Sequence, residues 1–193
     1  MTKQESLFLK VFQNADHQIE DESAEDPFPA YLDDVDTTLA PFCPTSANRV
    51  LKALQMANVG PQDILVDLGS GDGRFVTAAV AEFNAQKAVG IESDHELVET
   101  SERLAQQVLS TNYSKASFIL GDLLDLPNIV HNTNWTVIVL FLLPDHTDKF
   151  ADMLLQHYRN GARIVSLVFN LNEIPELKLV ASDESDGIYV YSQ

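Results

Sequence analysis

The sequence predicts an α/β domain with a doubly wound, mostly parallel sheet that closes on an antiparallel hairpin. Three observations carry that expectation. From Ser46 onward, short apolar runs alternate with stretches of helical periodicity. A glycine-rich turn, Gly69 to Gly73, joins the first apolar run to the helix after it. The last two runs are separated only by turn residues. Strands alternating with helices give a parallel sheet covered on both faces, and two strands joined directly add an antiparallel pair.

Each element has a local reason. Ser46 is placed to cap a helix over 47–57, with Val50, Leu51, Leu54 and Met56 on its apolar face, and Gly60-Pro61 stops it. Residues 64–68 read as a buried strand, followed by a helix through Phe75, Ala78, Ala79 and Phe83. A second strand spans 88–92, and Asp94 caps a helix carrying Leu97, Val98, Ser101, Leu104 and Val108. Strands follow at 116–120 and 136–142, then a helix over 148–158 that Gly161 ends, then a strand over 162–169. The hairpin is expected from 176–181 and 187–191.

Composition narrows the function. The chain has 193 residues, 45% hydrophobic and 21% charged, enough for one compact domain. Its longest apolar run, 137–143, has the length of a strand and falls far short of the roughly 20 residues that span a bilayer. The single cysteine, Cys43, excludes an internal disulfide and any zinc site built from several thiolates. A formal charge of −17 opposes binding to nucleic acid or an anionic membrane and is compatible with a basic protein partner, the alternative being that the acidity serves only solubility. Neither a secretory signal nor a presequence is expected from the first residues, so the expected compartment is cytoplasm or nucleus.

Acidic residues crowd the stretch from Asp16 to Asp36, which lacks Lys and Arg. The chain therefore divides at residue 40. An acidic segment, 1–40, is expected to be loosely packed or partly helical, with Leu7, Leu9, Val11 and Phe12 placing a short helix against the body. Residues 41–193 form the main domain.

The strongest chemical signal is Val66-Asp67-Leu68-Gly69-Ser70-Gly71-Asp72-Gly73-Arg74. Glycines permit positive φ and a close approach of ligand to backbone. A dinucleotide loop, G-x-G-x-x-G, fails because Arg74 stands three residues after Gly71. A pyrophosphate would also be repelled by Asp67, whereas an ammonium group would be attracted. S-adenosylmethionine, which carries an ammonium and a sulfonium, fits; the alternative is a structural turn without a ligand. Glu92, followed by Ser93, ends the second strand and can accept hydrogen bonds from two ribose hydroxyls. Asp122 can accept from an adenine amino group while the Leu123 N–H donates to a ring nitrogen; the alternative for Asp122 is a helix cap or turn.

The fourth strand ends in Phe141-Leu142-Leu143-Pro144-Asp145. An apolar collar of Leu142, Leu143 and Pro144 favours a neutral amine over an ammonium as acceptor. Asp145 is the candidate catalytic residue, able to orient that amine or take its proton; capping the next helix is its other reading. The histidines form no ligand pair, so no metal is expected, and a G-x-S-x-G hydrolase elbow is absent.

The element order resembles the Rossmann-like, seven-stranded sheet of class I methyltransferases. Within that class, Pro41-Phe42-Cys43-Pro44-Thr45-Ser46, residues 66–74, Phe141 to Pro144 and residues 161–166 resemble one group of small protein lysine methyltransferases, archaeal and mitochondrial. The resemblance runs from Pro41 to the C-terminus. It implies S-adenosylmethionine held by the glycine loop, Glu92 and Asp122, with residues 41–45, Thr45 included, folding over it, and lysine as acceptor. An acidic stretch replaces the membrane-targeting segment of the mitochondrial members, and residues 170–175 lack the Trp common after the fifth strand. Methylation of a small molecule, or cofactor binding without turnover, are the competing expectations.

Overall fold

The computed structural model describes residues 5–25, 43–126, 134–141 and 147–193. Its elements are α1 (Leu7–Glu25), α2 (Ala47–Met56), β1 (Ile64–Leu68), α3 (Arg74–Ala81), β2 (Lys87–Glu92), α4 (His95–Leu109), β3 (Ala116–Leu120), β4 (Val137–Leu140), α5 (Thr147–Arg159), β5 (Arg163–Leu167), β6 (Leu179–Asp183) and β7 (Ile188–Tyr191). The seven strands form one sheet in the order β3-β2-β1-β4-β5-β7-β6. β1 to β5 pair in parallel, β7 runs antiparallel to β5, and β6 runs antiparallel to β7. Strand order reverses between β1 and β4, which opens a crevice at their carboxyl ends.

Strand composition follows from burial on both faces. β1 and β4 are almost wholly buried, and their alternate side chains enter opposite cores. Leu65, Val137, Val139 and Val165 face one core with residues of α1 to α4. Val66, Ile138, Leu140 and Ile164 face the other, where Phe150, Leu154 and Leu155 of α5 cover them. Below the sheet, away from the crevice, Asp63 ties the strand entries together. It accepts from Gly60 N (2.8 Å) and Thr136 Oγ1 (2.7 Å) and pairs with Arg163, whose other nitrogen donates to the Ala57 (2.6 Å) and Asn58 (2.7 Å) carbonyls.

The largest departure from the expected elements is at the N-terminus. α1 is 19 residues long, runs into the acidic stretch as far as Glu25, and belongs to the core. Phe8 and Phe12 are fully buried, with rings 4.8 Å apart. Asp16 continues their face one turn further on. Residues 26–40, including Pro27, Phe28, Pro29 and Tyr31, lie outside the described residues. Ser46 stands at the N-cap of α2 but makes no side-chain cap bond; Asp16 Oδ2 accepts from Ala47 N instead (3.2 Å). The sixth strand begins at Leu179, later than expected, because Ile174 and Leu177 are buried in the turn before it. Trp135 is a core residue stacked on His157, with centroids 4.9 Å apart.

Candidate cofactor site

The glycine loop turns the chain from β1 into α3, and three glycines have left-handed φ: Gly69 (79°), Gly71 (52°) and Gly73 (77°). Gly73 is also fixed by space. A Cβ there would lie 2.5 Å from Phe118 Cε1 and 2.7 Å from Ser101 Cβ, so α3 can approach β3 and α4 only over a bare glycine. The loop hangs from β2: Gly69 N and Ser70 N donate to the Ile91 carbonyl (2.9 and 3.0 Å), and Gly71 N donates to Glu92 Oε2 (2.9 Å).

Glu92 is held from both sides. Its Oε1 accepts from Ser93 N (2.8 Å) and Asp94 N (3.1 Å), which leaves Oε2 with the single Gly71 bond among the described residues. A carboxylate oxygen has two acceptor directions, so Oε2 retains one for a ribose hydroxyl. Asp94 caps α4 as expected, accepting from Glu96 N and Leu97 N (2.8 and 3.3 Å). Asp122 is exposed just past β3, and its Oδ1 accepts from Leu124 N (2.8 Å). The capping reading thus uses one oxygen and, among the described residues, leaves the other without a hydrogen bond. Leu123 is buried against the glycine loop, with Cδ1 4.0 Å from where a Gly69 Cβ would stand. The half-exposed Leu120 and Leu124 give this end of the crevice an apolar rim.

Asp67 sits at the centre. It is only 4% exposed, and no hydrogen bond from a described residue reaches its carboxylate. Burial, then the charges of Glu92 and Asp72, push its pKa well above the ordinary value. A buried carboxylate with no donor among the described residues, at the mouth of a positive-φ loop, has the chemistry to accept an ammonium group.

Sequence reasoning took Arg74 only as the residue that breaks a dinucleotide motif. In the fold it is a hub, 3% exposed. Its Nε and Nη2 grip both oxygens of Asp72 (2.8 and 2.6 Å), and its Nη1 donates to Asp16 Oδ1 (2.6 Å) and to the Thr45 carbonyl. The guanidinium also lies 5.6 Å from the centre of the Phe12 ring. Burial opposes its charge, but Asp72 and Asp16 outweigh that cost and raise its pKa. Thr45 is buried beside the loop, where the chain enters α2.

On the other side of the crevice, Phe141 ends β4 half-buried, its ring 6.4 Å from that of Phe169. Phe169 follows a tight turn at Val168, whose φ of 67° is unusual for a β-branched residue. Phe169 N donates to the Leu167 carbonyl (2.8 Å), and Ser166 Oγ donates to the Phe169 carbonyl (2.6 Å). Leu142, Leu143, Pro144 and Asp145 lie outside the described residues. Among the described residues, no cluster of His, Cys, Asp and Glu could hold a metal ion, and no helix is long and apolar enough to cross a membrane.

Strand order, the loop and its acids define an S-adenosylmethionine-dependent methyltransferase of the Rossmann-like class. Residues 67–178 match the ANTKMT methyltransferase domain, and the chain belongs to that family. A protein-lysine N-methyltransferase from Saccharolobus islandicus is 30% identical over 154 residues, covering 78% of this chain and 92% of that protein. A histone-lysine N-methyltransferase from Caenorhabditis elegans is 28% identical over 141 residues, which are 14% of its length. Among solved structures, an RNA methyltransferase from Salinibacter ruber in complex with S-adenosyl-L-homocysteine is 31% identical. It superposes with a TM-score of 0.64 over 77% of this chain and 91% of that one. TrmN from Thermus thermophilus is 16% identical with a TM-score of 0.57, covering 74% of this chain and 46% of that one, a likeness of fold alone.

Proposed function

We propose that this methyltransferase acts on the side-chain amine of lysine in a basic protein. The carrying observation is the relation to the Saccharolobus islandicus protein-lysine N-methyltransferase, which extends over 92% of that enzyme. The formal charge of −17 supports a basic partner.

In this reading the chain's own residues divide the work. Asp67 receives the cofactor's ammonium end, Glu92 its ribose, and Asp122 with Leu123 its base. The bound cofactor supplies an electrophilic methyl group on a sulfonium. Transfer of that methyl is an in-line displacement, so rate depends on alignment and exclusion of water. The apolar side chains of Phe141, Leu142, Leu143 and Pro144 would favour the neutral amine, and Asp145 would orient it or take its proton. We place the enzyme in cytoplasm or nucleus, on the charge of its N-terminal stretch.

RNA is the rival acceptor, because the Salinibacter ruber relative is described as an RNA methyltransferase. The net negative charge weighs against it, since RNA binding depends on cations that displace counterions. The two readings separate in one assay. The chain is incubated with methyl-labelled S-adenosylmethionine and a lysate, which is then split between protease and ribonuclease treatment. Label lost to protease and found by mass spectrometry on lysine is the expected result. Label lost to ribonuclease alone, or carried only on arginine, histidine or carboxyl groups, would overturn the lysine assignment.

A further inference from the structure

The N-terminal helix touches the cofactor loop through one buried contact network, and that network has more charge than packing requires. Phe8, Phe12 and Asp16 recur at four-residue spacing, so they share one face of α1. The two phenylalanines supply the apolar anchor, fully buried against the core. Apolar burial alone would dock the helix. Instead the same face ends in a carboxylate directed at the buried guanidinium of Arg74, 2.6 Å away.

Arg74 is the first residue of α3 and so sits at the foot of the glycine loop. Each of its bonds ends on a different part of the site. The fork on Asp72 fixes the loop from within; the bond to the Thr45 carbonyl fixes the chain entering α2; the bond to Asp16 fixes α1. Asp16 closes the circuit, because its second oxygen accepts from Ala47 N at the start of α2. The loop's remaining ties, to Ile91 and Glu92, come from the sheet and cannot set where Thr45 stands relative to the loop.

We propose that Asp16 and Arg74 are positioning residues of the methyltransferase site: a latch through which docked α1 holds the glycine loop and the Thr45 segment in the geometry that receives the cofactor. Truncating the latch on either side has a distinct electrostatic cost. Without Arg74, the half-buried Asp16 and the buried Asp72 lose their shared cation, and the Asp72 charge that acts on Asp67 is left uncompensated. Without the Asp16 charge, Arg74 keeps Asp72 and the Thr45 carbonyl but loses its ion pair with α1, which loosens the tie between α1 and the Thr45 segment. The inference rests on cofactor binding alone and stands or falls independently of the acceptor.

Linkage makes the latch testable from both ends, since a helix that helps bind the cofactor must be stabilised by it to the same degree. Asp16→Asn preserves shape while removing the charge. S-adenosylhomocysteine affinity, measured by titration calorimetry, is expected to weaken by about fivefold or more in this variant. The KM for S-adenosylmethionine should rise with kcat at saturation unchanged, a split that general destabilisation does not produce. Lys52→Ala serves as control. It cuts the 2.5 Å pairs that tie α2 to Asp183 and Asp186 at the β6–β7 turn, and it should leave that affinity intact. In the unaltered chain, S-adenosylhomocysteine should slow amide hydrogen exchange across residues 8–16. Unchanged exchange there, or affinity in Asp16→Asn equal to that of the parent, overturns the proposal. Should Asp16→Asn fail to fold, the exchange experiment on the unaltered chain decides alone.

Discussion

Asp67 carries opposite consequences for stability and for binding. Its carboxylate is buried and receives no hydrogen bond among the described residues, so the charged form is disfavoured and its pKa rises, first by burial and then by Glu92 and Asp72. Between the ordinary carboxylate value and the raised one, the folded state holds a proton that the unfolded state has released. Stability from this group therefore falls as pH rises through the raised pKa. His157 has the opposite sign: burial lowers its pKa, so its contribution is complete above its unfolded value and is lost on acidification. Asp67→Asn isolates the first effect. The apo variant should be more stable than the parent at neutral pH by about 1 kcal/mol, ~2–4 °C in melting temperature for a domain of this size. The difference should shrink as pH falls. Its affinity for S-adenosylhomocysteine should drop by roughly tenfold or more, the cost of removing a charged hydrogen-bond partner. Lower stability together with undiminished binding would mean that Asp67 is a structural residue.

The candidate site acids were legible because each stands near the carboxyl end of a strand, one βα unit after the last, where this kind of sheet places ligands. Arg74 and Asp16 were not, because their meaning is a contact between residues 58 positions apart. The one trace in the sequence is the spacing of Phe8, Phe12 and Asp16, which puts a carboxylate on an apolar helix face.

Elements were legible where the local pattern is unambiguous. β1, β3 and the helix after Asp94 needed no tertiary information, because an apolar run between turn signals has few alternatives. β6 was misplaced because Leu177 and Leu179 alternate like strand residues, although only Leu177 is buried. Pairing with β7, bulged between Leu179 and Ala181, decides the matter, and no local pattern encodes it. The length of α1 was hidden for a related reason: the acids of its second half repel one another and stand at the unfavourable end of the helix dipole, while the buried face of the first half holds the helix in register.

At this scale the junction of loop and helix is the most constrained feature. Gly73→Ala meets a left-handed φ of 77° and two contacts under 3 Å. The expected destabilisation is about 2–4 kcal/mol, from backbone strain and overpacking together. A denaturant titration should show a lower midpoint at unchanged slope. Adding Phe118→Leu removes the nearest clash and should recover part of the loss. A Gly73→Ala protein as stable as the parent would show that the loop does not pack against β3 in this way.

For the molecule as a whole, the charge must be separated from the helix that carries part of it. Deleting the N-terminal segment would remove Phe8 and Phe12 from the core, so loss of activity after truncation would say nothing about recruitment of substrate. Neutralising Glu20, Asp21, Glu22 and Glu25 to amides changes neither Phe8 and Phe12 nor Asp16. If a basic protein is drawn in by long-range attraction, this variant should show a higher KM for that protein at low salt and a flatter dependence of KM on ionic strength. Its affinity for S-adenosylhomocysteine should match the parent's, which sets it apart from Asp16→Asn. At about 1 M salt, where the screening length is near 3 Å, the two proteins should converge. Identical KM values at every salt concentration would assign the N-terminal acids to solubility and leave the body of the domain to select its substrate.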